Sequence, residues 1–80
     1  MKARVTVRLK NGVLDPQGRA IADALHGLGF TEATNARVGK VIEIDLDETD
    51  PVRADARIKE MAHKLLANPV TESWQVEIVT

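Results

Sequence analysis

The sequence predicts an α+β fold: a two-layer sandwich of order βαββαβ, with a four-stranded, mainly antiparallel sheet and two helices on one face. Three observations predict it. A run of alternating apolar residues followed by Asp-Pro occurs twice, as Val5, Val7, Leu9 then Asp15-Pro16, and as Ile42, Ile44, Leu46 then Asp50-Pro51. The two Asp-Pro pairs lie 35 positions apart (50 minus 15), and at that offset Val7 falls on Ile42 and Leu9 on Ile44. Strand and helix periodicities then alternate through only 80 residues, which is enough for one domain and one core.

The first strand covers Lys2 to Lys10, with Ala3, Val5, Val7 and Leu9 on one face and Lys2, Arg4, Thr6, Arg8 and Lys10 on the other. Asn11-Gly12 is a turn signal. Asp15 suits a helix N-cap, and Pro16 suits the first helical position, where its missing N–H is no loss. The helix should run to about Leu28 with Ile21, Ala24, Leu25 and Leu28 on one side, stop at a left-handed Gly29, and leave Phe30 packed beneath it. A second strand is expected at about Thr34 to Val38, with Ala36 and Val38 inward. Gly39-Lys40 would then be a tight hairpin turn into a third strand, Val41 to Leu46. Asp50-Pro51 opens a second helix reaching about Ala67, with Ile58, Met61, Ala62 and Leu65 inward and Leu66 at the margin. Asn68-Pro69 ends it, and a last strand, Glu72 to Val79, turns Trp74, Val76 and Ile78 to one face.

Charge on the outward face bears on strand order. The first strand presents Lys2, Arg4, Arg8 and Lys10; the third presents Glu43, Asp45 and Asp47; the last adds Glu77. Opposite charges on neighbouring strands stabilise a pair by roughly 0.2–1 kcal/mol. The basic strand therefore belongs beside an acidic one, as in a ferredoxin-like order with the first and third strands central. The same face could be a solvated ladder of cancelling charges or a surface for self-assembly or docking.

Composition removes whole classes of function. There is no cysteine, hence no disulfide, thiolate metal site or cysteine nucleophile. Eleven basic against twelve acidic residues, a formal charge of −1, give no surface for nucleic acid or an anionic membrane. An RNA-binding sheet needs stacking aromatics on its open face. Phe30 and Trp74 are the only aromatics, one in a turn and one in the inward set. The start, Met1-Lys2-Ala3-Arg4-Val5, lacks the apolar stretch of a signal peptide, and a soluble cytoplasmic protein is expected.

Catalytic and metal chemistry find no foothold. His26 and His63 are the only histidines, each roughly 140° around its helix from the first core residue of the stripe, so both should be exposed. Asp45, Asp47, Glu48 and Asp50 cluster without calcium-loop spacing and read as a solvated approach to the second helix. Gly39-Lys40 lacks the upstream glycine and the following Ser/Thr of a phosphate loop. No catalytic, cofactor-binding or metal-ligating residue is expected.

Three segments in order carry a resemblance: Val13-Leu14-Asp15-Pro16-Gln17-Gly18-Arg19-Ala20-Ile21, then Arg37-Val38-Gly39-Lys40-Val41-Ile42-Glu43-Ile44, then Lys64-Leu65-Leu66-Ala67-Asn68-Pro69-Val70 with Glu72. Together they resemble the small subunit of bacterial phosphoribosylformylglycinamidine synthase, the PurS family, over essentially the whole chain. Trp74 stands where a tyrosine is commoner in that family. The resemblance implies a non-catalytic subunit of an ATP- and glutamine-dependent C–N ligase complex in purine biosynthesis. It would bridge a glutaminase subunit and a large amidine-forming subunit and assist ammonia transfer between them. The complex would use ATP and magnesium, with neither bound by this chain.

The family assembles as dimers or tetramers of the small subunit, and the residues permit it. A domain of this size buries only roughly 60–65% of the surface its unfolded chain exposes. The short second strand would also be an edge open to pairing. Arg37, Gly39 and Lys40, at the expected hairpin tip, are the candidate partner-interface residues. A different class of function is a stand-alone βαββαβ regulatory domain binding a small metabolite at the Asn11-Gly12 loop. An acylphosphatase-like hydrolase would need an arginine-bearing anion loop after the first strand, and Asn11-Gly12-Val13-Leu14 offers none.

Overall fold

The computed structural model describes residues 1–79 and has the order β1 (Lys2–Leu9), α1 (Pro16–Gly27), β2 (Gly39–Asp45), α2 (Pro51–Met61), a π-helical turn (Ala62–Leu66) and β3 (Glu72–Val79). The three strands form one antiparallel sheet with β1 in the centre, flanked by β2 and β3. Ala3 faces Ile44 on one side and Ile78 on the other; Val5 faces Ile42 and Val76. The charge ladder sits on the opposite face. Arg4 lies between Glu43 (3.7 Å) and Glu77 (3.6 Å), and Lys2 also reaches Glu43 (3.9 Å). All four side chains are well exposed, so these pairs set which strands are neighbours more than they stabilise the sheet.

The core is small and rich in alanine. Ala3, Val5 and Val7 of β1 are buried against Ile58 and Ala62, with Ala67 below, and Ala54 is also buried on α2. Small side chains on the α2 face let the helix sit close to the sheet. Trp74, Val76 and Ile78 of β3 pack around this centre, half-buried.

The expected four-stranded sheet is not formed. Residues 34–38 belong to no strand, so the sheet has three strands among the described residues. Two contacts hold them elsewhere: the Val38 amide donates to the Asp15 carboxylate, and the Ala36 backbone lies against Gly18. The hairpin turn at Gly39-Lys40 is absent for a related reason. A two-residue hairpin turn needs positive φ, which only Gly12 and Gly29 have among the described residues. Gly39 and Lys40 instead begin β2, opposite Arg8 and Val7.

The first helix also departs from expectation. It has the predicted limits, with Asp15 as N-cap, Pro16 at its first position and Gly29 left-handed at φ +98° beyond the end. Yet it does not pack on the sheet. Ile21 is 46% exposed, Leu28 74% and Phe30 51%. A single helix, α2, lies on the sheet face, over β3 and β1. With α1 not packed on the sheet, the molecule measures 49 × 26 × 14 Å, and its radius of gyration is 16.0 Å. A compact chain of this length would have roughly 12 Å.

The second helix corrects one residue. Its last turn is π-helical, with the Ala67 amide donating to the Ala62 carbonyl (3.0 Å), five residues back. A wider turn advances less around the axis per residue. Leu66 therefore comes round to the core and Leu65 is left 84% exposed, the reverse of the α-helical expectation.

Candidate functional site

The chemistry-bearing residues gather where β1 leads into α1 and residues 34–38 run alongside. Asp15 ties the two segments together. Its Oδ1 accepts the Gly18 amide (2.8 Å), which caps α1, and its Oδ2 accepts the Val38 amide (2.7 Å). The Val38 amide first, and the Gly18 amide next, hold the Asp15 carboxyl below its ordinary value of 3.8, with the Arg37 charge adding to the effect. Gly18 is the one buried residue of α1. A Cβ there would overlap the Ala36 carbonyl, so only glycine lets the two backbones meet.

Arg37 makes the second tie. Nη1 donates to the Val13 carbonyl (3.2 Å), and Nη2 donates to those of Leu9 (3.3 Å) and Lys10 (3.1 Å). The planar five-donor fork of arginine suits this task, whereas a lysine would offer one point of attachment. His26 adds a third tie: its Nε2 donates to the Ala33 carbonyl at 2.6 Å, which places the ring proton on that nitrogen. As expected, His26 and His63 are both exposed, and the structure keeps them apart on different helices. Beside the ties lies an open cleft of about 610 Å³, walled by Val13, Leu14 and Ala22 and edged by Arg19, His26 and Asn35.

Of the three candidate interface residues, Arg37 has its guanidinium committed to carbonyls of its own chain. Gly39 is a strand residue whose Cβ would stand 2.7 Å from the Val7 carbonyl. Lys40 is exposed on β2. Arg37 lies two residues before β2 and Gly39 and Lys40 are its first two residues, so the three are not grouped on a loop tip. Sequence reasoning missed Asp15 as a tie between segments, and missed Gly18. A glycine inside a helical pattern was the available signal, because it weakens a helix unless something packs against it.

The acidic cluster serves the second helix. Glu48 Oε1 accepts the amides of Thr49 (3.1 Å) and Asp50 (3.2 Å), and Asp50 Oδ1 accepts that of Val52 (3.0 Å). The carboxylates of Glu48 and Asp50 are thus turned to backbone N–H groups. Among the described residues no group of three or more His, Asp or Glu is placed to hold a metal ion. No described helix is long and apolar enough to cross a membrane. What the arrangement does is mechanical: it fixes an amphipathic helix at a set distance from the sheet.

Comparison with known proteins gives a consistent picture. A family model described as PurS, phosphoribosylformylglycinamidine (FGAM) synthase, matches residues 2–80. The chain is 43% identical over 77 residues to the phosphoribosylformylglycinamidine synthase subunit PurS of Bacillus subtilis, covering 96% of this chain and 90% of that one. A crystal structure of Bacillus subtilis PurS superposes with a TM-score of 0.87 at 42% identity, over 99% of this chain and 98% of that one. A chain from a structure described as PurLQS from Thermotoga maritima superposes with a TM-score of 0.88 at 27% identity, over 98% and 95%. None of these comparisons supports a metabolite-binding regulatory domain.

Proposed function

We infer the role of this chain from one premise: it belongs to the PurS family of phosphoribosylformylglycinamidine synthase subunits. It is a subunit of that ligase, which acts in purine biosynthesis, and contributes surfaces to it. In this reading it bridges the glutaminase subunit and the large ATP-dependent subunit in the cytoplasm, and helps ammonia released by the first reach the second. ATP and magnesium belong to the large subunit, and this chain holds neither. Ammonia that escapes is protonated and loses its nucleophilic lone pair, so a protein seal along its route protects the amidation step. The chain acts as a homodimer or a tetramer.

The observation that carries this reading is α1. An amphipathic helix with Ile21 and Leu28 largely bare is held off its own sheet by Asp15, Arg37 and His26. Rigid presentation of an uncovered apolar stripe suits a protein whose work is to be bound.

The test is an amidation assay with the glutaminase and large subunits, run with and without this chain, fed either glutamine or free ammonia. Omitting the chain should abolish the glutamine-dependent rate and leave the ammonia-dependent rate in place. Loss of both rates would place its role in the amidation chemistry and overturn the coupling assignment.

A further inference from the structure

Charge on this molecule is balanced pair by pair except at one end of the sheet. Among the described residues, six of the eleven basic side chains lie within 4.0 Å of a carboxylate: Lys2, Arg4, Arg19, Arg57, Lys59 and Lys64. Of the five others, Arg53 lies on α2 near Glu48. The remaining four, Arg8, Lys10, Arg37 and Lys40, gather where β1 ends and β2 begins. The carboxylates at that end are already bonded to backbone: Asp15 accepts the Gly18 and Val38 amides, and Glu72 accepts that of Asn68. Asp45 and Asp47 belong to the opposite end, about 20 Å away along β2. Charge is screened within about 10 Å at about 0.1 M salt, so they do not offset the excess.

That excess lines a cleft. Arg8, Arg37 and Lys40 border a space of about 420 Å³ along the outer edge of β2; Thr6 adds a hydroxyl, and no acidic residue lines it. Arg37 donates to three carbonyls of its own chain and keeps its full positive charge there. Arg8 and Lys40 are exposed, and neither has an ion-pair partner among the described residues. Gly39 keeps the cleft open. It faces Arg8 across the strand pair, and a Cβ there would stand 3.3 Å from Arg8 Cγ. In the described sheet β2 pairs with β1 alone, so backbone groups on its other side are also open to pairing.

We propose that this cleft receives an acidic segment of a partner subunit, with one carboxylate on the Arg8 guanidinium and a second on the Lys40 ammonium. The proposal rests on the bridging role above and names the chemistry of one of its contacts. Charge complementarity selects the occupant: three cations border the cleft with no acid of their own. The arginine fork holds a carboxylate by two parallel bonds, whereas lysine holds one as a point charge. A protein segment suits the site better than a small free anion. Arg8 and Lys40 stand in water at the start of an edge strand, where nothing encloses an ion, and an extended segment also gains backbone pairing along β2. Exposed charges of this kind speed the encounter and select the partner.

The test is binding of the full chain to the captured glutaminase subunit, the captured large subunit and the two together, followed by surface plasmon resonance. Wild type is compared with Arg8→Glu, Lys40→Glu and Arg8→Lys, each checked by its melting temperature. Both charge reversals should melt as wild type does and bind about tenfold more weakly at about 0.05 M salt. The loss should shrink at about 0.5 M salt, where the charges are screened, and Arg8→Lys should fall between wild type and Arg8→Glu. Charge-reversed variants that bind as wild type does at low salt overturn the proposal, and Lys40→Glu decides it should Arg8→Glu not fold. A loss of the same size at both salt concentrations overturns it as well, since ion pairing would not be the cause. Inorganic pyrophosphate is added in a parallel melting series. If it raises the wild-type midpoint, leaves those of the variants in place and does not compete with the partner subunits, the cleft belongs to a small anion and the acidic segment is overturned. A wild type that binds none of the three overturns the bridging role and this contact with it, whereas failure of the variants alone to lose affinity leaves the bridging role standing.

Discussion

Asp15 and Val38, 23 positions apart, are joined by a 2.7 Å hydrogen bond from the Val38 amide to the carboxylate that also caps α1. One side chain thus starts a helix and decides where the next stretch of chain must run. The bond strengthens with the negative charge on Asp15, so the geometry carries a pH dependence.

That dependence has a definite sign. The amide of Val38, then that of Gly18, lowers the Asp15 carboxyl below 3.8 in the folded state. A group with a depressed folded value stabilises above its unfolded value, and the contribution is lost as pH falls through the folded one. Glu48, lowered by the Asp50 and Thr49 amides, and Glu60, lowered by Lys64, act in the same direction. The thermal midpoint should be flat above about pH 5 and fall below about pH 4. Asp15→Asn should melt lower than wild type at pH 7, and the gap should narrow toward pH 2. A gap that stays constant across a pH series of melting curves would count against the charge of Asp15 as the cause.

Gly18→Ala and Gly27→Ala should have opposite effects although both add one methyl to α1. At Gly18 the methyl meets the Ala36 carbonyl, and forcing the backbones apart should cost about 1–3 kcal/mol. At Gly27 it meets nothing, and the gain in helix preference should be about 0.5 kcal/mol. Urea titration of the two variants measures both, and equal shifts would mean that α1 does not rest on residues 34–38.

The π turn makes a similar paired prediction. Leu66→Ala should cost about 1–2 kcal/mol because Leu66 packs against the core. Leu65→Ala should stay within about 0.5 kcal/mol of wild type, since that side chain is mostly in water. The reverse order in chemical denaturation would indicate an ordinary α-helical last turn.

Arg37 and Lys40, grouped as interface candidates by sequence, should separate under substitution. Arg37→Ala removes three hydrogen bonds to backbone carbonyls and should lower stability by about 1 kcal/mol. Lys40→Ala should leave the melting temperature unchanged. Both should weaken co-purification with the glutaminase and large subunits, Arg37→Ala by loosening the placement of α1. Co-purification of both variants at wild-type levels would remove these residues from the interface.

Outside residues 34–38, where the expected strand does not form, the element types and most of their limits are read correctly from the sequence because each rests on interactions within one segment. Alternation of Ala3, Val5 and Val7 makes a strand with one buried face whatever else is present. Asp15-Pro16 and Asp50-Pro51 start helices by capping their own first turns, and Glu72–Val79 is a strand of the predicted length. Charge complementarity between Arg4 and Glu43 is equally local to one cross-strand pair, and it places β1 beside β2. Membership of a family is legible too, since it resides in the order of the residues.

Tertiary structure alone decided whether each element found a partner. Residues 34–38 alternate as a strand would, but the Asp15 carboxylate takes the Val38 amide and the Ala36 backbone is packed against Gly18, and no fourth strand forms. The stripe on α1 has the periodicity of a buried face and is bare, because periodicity records which side of a helix is apolar and not what lies opposite. Leu65 and Leu66 exchange places through the i→i+5 hydrogen bonding of the π-helical turn, which no apolar pattern encodes. A pattern fixes the surface an element offers; contacts between distant segments fix what that surface meets.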